Sequence, residues 1–360
     1  MRTQTESAWA RRPSRASRTM PAKLPDSPQR ILIIKPSAIG DVVHTLPVLN
    51  LLRDRWPAAA IDWVVTPACA SILEGHPQVD QVLIFDRKRL GGWWRSPAAW
   101  LALRRFTHDL RSRQYDLVLD LQGLFRSGWL AWQTRSSVRV GFASAREGAP
   151  MFYTHRVPTG SPDQHAIGRY LKLARFVGCL DEPVAYVFPT DDADRQAVAG
   201  LLGSSQPYAV LIPGTNWPTK RWPIEHFNRL ANRLGQMHGL RIVVAGSPAE
   251  RGLGDGIAGG LNLCGQTSLR QLVALIEGAS LVVCNDSGPM HIAAALDKPM
   301  VALFGPTNPI RTGPHRHDES VLRLDIPCSP CYARHCSHQS CLKLLDVDPV
   351  FNHAERVLGK

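Results

Sequence analysis

The chain has 360 residues, 44% hydrophobic and 20% charged, with 42 lysines and arginines against 30 acids and a formal net charge of +12. That length exceeds what one hydrophobic core normally supports, so two domains of about 150 to 170 residues are expected. No apolar run approaches the roughly 18 residues of a membrane-crossing helix, and the cation excess points to an anionic partner: nucleic acid, a phosphorylated lipid surface or a phosphate-bearing small molecule.

Residues 1–28 are set apart. Rich in Arg, Ser and Pro and lacking an apolar h-region, they read as a disordered basic tail or an over-long start-site assignment, and not as a secretory signal. Residues 1–30 hold about +5 of the charge, which leaves about +7 for the ordered part. Cys69, Cys179, Cys264 and Cys284 sit singly in apolar surroundings, as core thiols of a reducing compartment do, so a cytoplasmic location is expected.

The ordered part opens with Ile31–Ile34, a run suited to a parallel strand buried on both faces. Pro36–Gly40 is a turn, and a helix is expected over about 41–55. Asp41 then stands at the carboxyl end of the first strand, where open α/β sheets bind ligands. Asp at a helix start is often only a cap, and locally both readings stand. Further strands are expected at Ile61–Val65, Gln81–Ile84, Leu117–Asp120 and Val138–Gly141, with helices near 97–112 and 123–134. An extended stretch at Val184–Thr190 and a polar break at Gly203–Pro207 interrupt the alternation. It restarts with strands Ala209–Ile212, Arg241–Ala245, Leu281–Cys284 and Met300–Phe304, and with helices from Ile224, near 269–278 and near 288–296. Asp348–Leu358 reads as a short amphipathic helix, free to dock back on the first domain. The pattern predicts an α/β chain of two Rossmann-like, doubly wound domains facing across a cleft: 29–188 and 207–345, a 189–206 linker and a terminal helix within 346–360.

Two blocks of the second half carry chemistry. After strand 281–284, Asp286-Ser287-Gly288 opens a helix whose N–H groups and positive end suit an anion, with His291 one turn in. A capped helix with a core histidine is the competing reading. The loop Phe304–Thr307 lies at the same sheet edge. The block Pro213–Pro223 sets Gly214, Thr215, Asn216, Lys220 and Arg221 ahead of a helix; Lys220 offers a compact charge to a phosphate, while Arg221 fits either a phosphate or solvent. Trp217 and Trp222 read as packing groups. Gly254–Gly259 matches G-x-G-x-x-G but follows no strand directly, and no Walker-type loop occurs, so dinucleotide binding is not expected. Asp346 and Asp348 read as a turn and helix cap, not a metal pair.

The cluster Cys328, Cys331, Cys336 and Cys341, with His335 and His338 inside it, holds one C-x2-C half-site. Irregular spacing leaves structural zinc, reduced thiols and a local disulfide as its readings. The stretch Arg87–Arg113, with Trp93, Trp94 and Trp100 among Arg95, Arg104 and Arg105, suits a phosphorylated amphipathic partner at a membrane surface or a solvated helix with a packed apolar face.

Three segments together resemble glycosyltransferase family nine, the lipopolysaccharide heptosyltransferases: KPSAIGDVVHTLP (35–47), YDLVLDLQGLFRSG (115–128) with GFASAREGAPMFY (141–153), and NDSGPMHIAAALDKPMVALFGPTNP (285–309). The likeness covers residues 30 to about 358. It implies a GT-B fold and an inverting, metal-independent transfer of heptose from ADP-heptose to a lipid A–inner-core acceptor, without a cofactor. By motif position it implies Asp41 as general base. Thr215, Asn216 and Lys220 would hold the diphosphate, Asp286, Ser287, Gly288 and His291 the sugar and phosphate pocket, Glu250 the ribose and Thr267 the adenine. Arg126 and Arg146 are the implied acceptor contacts. The implied partners are an ADP-sugar, a phosphorylated glycolipid and, peripherally, the cytoplasmic face of the inner membrane, with no nucleic acid. Within the same fold, a glycosyltransferase with another nucleotide sugar or acceptor is the alternative. Two other classes compete: a basic nucleic-acid-binding protein with a cysteine-rich zinc module, opposed by the irregular cysteine spacing, and a nucleotide-sugar epimerase or dehydrogenase, opposed by the missing Rossmann fingerprint after Ile34.

Overall fold

A computed structural model describes residues 22–92, 94, 96–161, 163–180 and 184–359. The expectations for the tail up to residue 21, and for Trp93 and Arg95, lie outside the described residues. The first sheet contains β1 (Arg30–Ile34), β2 (Ala60–Val65), β3 (Gln81–Ile84), β4 (Leu117–Asp120), β5 (Arg139–Phe142) and β6 (His155–Val157), in the order β3-β2-β1-β4-β5-β6. The second contains β7 (Tyr208–Ile212), β8 (Arg241–Val244), β9 (Leu261–Asn262), β10 (Leu281–Asn285), β11 (Met300–Phe304) and β12 (Val321–Arg323), ordered β12-β11-β10-β7-β8-β9. Every pairing is parallel. Central strands buried on both faces must be apolar throughout, and Ile31–Ile34, Leu281–Cys284 and Met300–Phe304 are fully enclosed. Each sheet reverses its strand order beside β1 or β7, so both crevices open at the carboxyl edges of these strands.

Several boundaries differ from expectation. The stretch 41–55 is two helices, Ile39–Val43 and Leu46–Arg55, because Pro47 lacks an N–H and suits only the first turn of a new helix. The supposed linker 189–206 contains the helix Asp192–Leu202, capped by Asp191 and packed on the second-domain helix Leu269–Glu277. The helix Ala166–Phe176 and the short edge strands β6, β9 and β12 had no counterpart in the pattern read from sequence. The terminal helix Val347–Leu358 does not return to the first domain. Val350, Phe351 and Ala354 pack under β11 and against the helix Ile224–His238. Residues 184–187, extended as expected, strap the domains: Asn50 Nδ2 and His76 Nε2 donate to the Ala185 and Val187 carbonyls at 2.7 and 3.0 Å, and Arg316 donates to the Val184 carbonyl at 3.1 Å.

The two domains meet through short helices, Ile39–Val43 from the first and Gly288–Ala295 from the second. Glycine is required on both sides of this contact. A Cβ on Gly40 would overlap the His291 ring, and one on Gly288 would stand 2.9 Å from Ile39 Cβ.

Candidate active site at the domain interface

Asp41 sits in the first turn of the helix Ile39–Val43, just past the end of β1. Its Oδ1 accepts from the Tyr170 hydroxyl at 2.7 Å and lies 3.5 Å from the Lys35 ammonium; its Oδ2 accepts from the Ala38 N–H at 3.3 Å. Lys35, the residue after β1, is 2% exposed and donates to Tyr170 Oη at 2.8 Å and to the Leu121 carbonyl at 3.2 Å. Burial pushes the Asp41 carboxyl upward, but Lys35, the Tyr170 hydrogen bond and the Ala38 N–H outweigh it and hold the group below the ordinary carboxylate range. Asp41 keeps 38% of its side chain accessible, so an ionised oxygen is open to the cleft. It caps its own helix start through the Ala38 N–H and still keeps access to solvent.

Across the interface, Asp286 follows β10 and is 5% exposed. Its Oδ2 accepts from Lys220 Nζ at 2.6 Å and from Thr307 Oγ1 at 2.5 Å. Lys220 ends a short turn of 3₁₀ helix, with its ammonium 4.8 Å above the Trp217 ring. The loop carrying it is braced internally. Thr215 Oγ1 exchanges hydrogen bonds with the Trp217 backbone, and Arg221 spends its guanidinium on the Thr215 carbonyl. Asn285 ties the same loop from below, donating to the Pro213 carbonyl at 2.9 Å and accepting from the Trp222 N–H at 3.0 Å. Trp222 is buried and donates to the Leu345 carbonyl, a packing role like the one expected. Asn216 is exposed at the tip of the loop.

Ser287 occupies the position before the helix Gly288–Ala295 without capping it, and its buried Oγ has no partner among the described residues. The same holds for Nδ1 of His291 and Nε2 of His44. His291 is 8% exposed and projects onto Gly40. Burial drives its pKa down to about 4, against the opposing pull of Asp286 and Asp41. Both carboxylates act on this one imidazole, so His291 marks the seam between them. Its ring stacks edge-on with His44 (4.1 Å between centroids), His44 meets His165 (5.2 Å), and His165 meets His315 (5.6 Å), a row of imidazoles running along the interface.

The remaining expected residues fall at the rims. Glu250 lies over Gly214, and its Oε2 accepts from the Ser247 N–H and hydroxyl at 2.7 and 2.8 Å. Thr267 is half-buried in the neighbouring loop, which is pinned to the Glu250 loop by the Gly265 N–H to Gly246 carbonyl bond of 2.9 Å. Arg126 and Arg146 are exposed on the first domain, their loops joined where the Arg146 N–H donates to the Gly123 carbonyl at 2.9 Å. Cys328, Cys331, Cys336 and Cys341 line one cavity of about 240 Å³ with Thr219, Pro306 and His338. All are free thiols, and among the described residues no group of three or more His, Cys, Asp or Glu is arranged to hold a metal ion. The loop serves to brace the Lys220 region, since Thr219 Oγ1 donates to the Ala333 carbonyl at 2.8 Å and the Cys331 N–H to the Pro306 carbonyl at 3.0 Å.

Sequence reasoning passed over Lys35, Tyr170, His44 and His165, and placed Thr307 only as part of a loop at the sheet edge. Lys35 and His44 lie in the opening block itself, and a lysine directly after a fully apolar strand was the available signal. Tyr170 comes from a helix 129 residues away and left none.

The arrangement presents an oriented, ionised carboxylate on one side of a seam and, on the other, a lysine beside a helix N-terminus. Residues 103–342 match the family model described as glycosyltransferase family 9 (heptosyltransferase). The chain is 36% identical to lipopolysaccharide heptosyltransferase 1 of Pseudomonas aeruginosa, over 86% of this chain and 88% of that protein. It is 30% identical to lipopolysaccharide heptosyltransferase 1 of Salmonella typhimurium, over 84% and 94% of the two chains. Among solved structures it resembles E. coli heptosyltransferase WaaC with ADP-2-deoxy-2-fluoro heptose, with a TM-score of 0.74, 28% identity and coverage of 91% of this chain and 99% of that one.

Proposed function

The chain belongs to glycosyltransferase family 9, the heptosyltransferases of the lipopolysaccharide core, and from that premise we propose that it transfers heptose from ADP-heptose to a lipid A–inner-core acceptor with inversion and without a metal. One observation carries the reading: Asp41 of the first domain and the Lys220–Asp286 pair of the second flank the same His291. Asp41 takes the proton of the attacking sugar hydroxyl as its oxygen bonds to the anomeric carbon. The bond from that carbon to the diphosphate breaks on the opposite face, its electron pair leaves with ADP, and the configuration inverts. Charge grows on the leaving diphosphate, and the Lys220 ammonium together with the N-terminus of the helix Gly288–Ala295 supplies the stabilisation that a metal supplies elsewhere.

The partnerless polar atoms of Ser287 and His291 support placement of the donor here, because buried polar groups ordinarily find partners. Thr215, Asn216 and Lys220 take the diphosphate, Asp286, Ser287, Gly288 and His291 the heptose side, and Glu250 and Thr267 the nucleoside; Arg126 and Arg146 take acceptor phosphate. The test has two arms. A panel of nucleotide sugars is screened for thermal stabilisation of the protein, with ADP-heptose expected to raise the melting point. The anomeric configuration of the product is then read by NMR. Stabilisation by a different sugar nucleotide, or retention of configuration, overturns the proposal.

A further inference from the structure

The strands β7, β10, β11 and β12 run parallel, so the segments that leave them emerge at one edge, around the crevice beside β7. The segment after β12 is the cysteine-bearing loop, and it is fastened to its neighbours at that edge. Ser329 Oγ donates to the Gly305 carbonyl at 2.6 Å, and the Cys331 and Tyr332 N–H groups both donate to the Pro306 carbonyl, at 3.0 and 2.7 Å. Further along, the Ala333 carbonyl accepts from Thr219 Oγ1 at 2.8 Å. Ala333 precedes Arg334 and Thr219 precedes Lys220, so this bond sets the two cations beside one another. Trp217 is their common shelf: the Arg334 guanidinium stands 4.7 Å and the Lys220 ammonium 4.8 Å from the centre of its indole.

The two cations differ in how much charge they have to give. Lys220 is closed on Asp286 at 2.6 Å, and an ammonium so paired offers an incoming anion little net attraction. Arg334 is exposed, and among the described residues no carboxylate or other acceptor engages its guanidinium. The acids of the neighbourhood are occupied. Thr307 shares Asp286 with Lys220, Glu250 accepts from Ser247, and Asp325 faces Arg323 at 3.9 Å. From Ile326 to Leu345 the chain contains no Asp or Glu. Arg221, the guanidinium of the Trp217 loop itself, is folded onto the Thr215 carbonyl. Stacking holds the Arg334 fork in place by its face and leaves its N–H edge free for the oxygens of a phosphate.

We propose that Arg334 binds the diphosphate of the sugar nucleotide beside Lys220, and that the cysteine-bearing loop is the element that delivers it. The inference rests on the donor reading above and adds the cation that reading lacks. A lysine already neutralised by Asp286 leaves the diphosphate short of positive charge, and Arg334 supplies it. As the bond to the anomeric carbon breaks, its electron pair moves onto the same diphosphate, so the interaction strengthens on the way to the transition state.

The test is calorimetry on the full chain with ADP and with adenosine. Arg334→Gln should weaken ADP binding about tenfold or more, the worth of a hydrogen bond to a charged group, and leave adenosine binding as it is. Arg334→Lys keeps the charge without the fork and should fall between the two. The gap between the parent and Arg334→Gln should narrow as salt is raised. Arg334 is exposed, so a ligand-free melting point equal to the parent's is expected for both variants. Parent-like ADP affinity in Arg334→Gln overturns this inference alone, as does an equal loss for ADP and adenosine, which would mark a packing role. A parent chain that binds no ADP overturns the donor reading and this inference together.

Discussion

The Tyr170 hydroxyl donates to Asp41 Oδ1 at 2.7 Å while accepting from the Lys35 ammonium at 2.8 Å, so one buried phenol links the enclosed cation to the carboxylate at the cleft. Removing the phenol takes away one of the interactions that hold the Asp41 pKa down against burial. Tyr170→Phe should therefore raise that pKa and move the acidic limb of the kcat/KM profile to higher pH. The maximal rate should fall about tenfold or more, the worth of a hydrogen bond to a charged group, with donor affinity unchanged. An acidic limb that stays in place would show that the phenol only packs.

Asp41→Asn keeps the size of the side chain but removes the base. Transfer should drop by about two to four orders of magnitude, the usual range for general base catalysis, while calorimetry still finds the donor bound. Near-normal turnover would remove Asp41 from the chemistry.

Lys220 contacts Asp286, two residues ahead of the helix Gly288–Ala295, at 2.6 Å. Lys220→Ala should weaken donor binding at least tenfold in calorimetry, and more for the diphosphate than for the nucleoside alone. Equal affinity for the two would refute a phosphate role.

Gly40→Ala places a methyl where the His291 ring lies. The helices Ile39–Val43 and Gly288–Ala295 should then fail to seat. Small-angle scattering should report a larger radius of gyration, and transfer should be lost although each domain keeps its fold. An unchanged radius would mean that the ring simply moves aside.

The histidine row ties stability to pH. Burial drives His291 and His315 from 6.5 down to about 4, and lowers His44 and His165 as well. The unfolded chain protonates His291 and His315 near 6.5 and the folded one only near 4, so between those values the unfolded state binds more protons. Their contribution is whole above 6.5 and is lost as pH falls toward 4. The melting temperature should decline across that window, less steeply for His291→Asn than for the parent.

The parts legible in the sequence were those written locally. A run such as Ile31–Ile34 or Leu281–Cys284 announces a doubly buried strand, and in this topology the residue after such a strand faces the crevice. Asp41, Lys220, Asp286 and Ser287 were therefore visible one loop at a time. β9 and β12, two and three residues long and only partly buried, carry no run to recognise. Tyr170 and the imidazoles of His44, His165 and His315 gain their meaning from partners in distant segments, which no local spacing records. The terminal helix showed an apolar face but not its destination, because Phe351 and Val350 would suit either domain by composition; contact with β11 decides it.

The paired glycines at the seam also set how the two halves engage. Gly40 seats the His291 ring and Gly288 seats Ile39, so each helix carries the notch for the other's side chain and the two engage as a matched pair. Any opening of the cleft must draw both side chains out of their notches together, and closing must return them. The residue 184–187 strap, held by Asn50 and His76, is the covalent connection about which such an opening would turn.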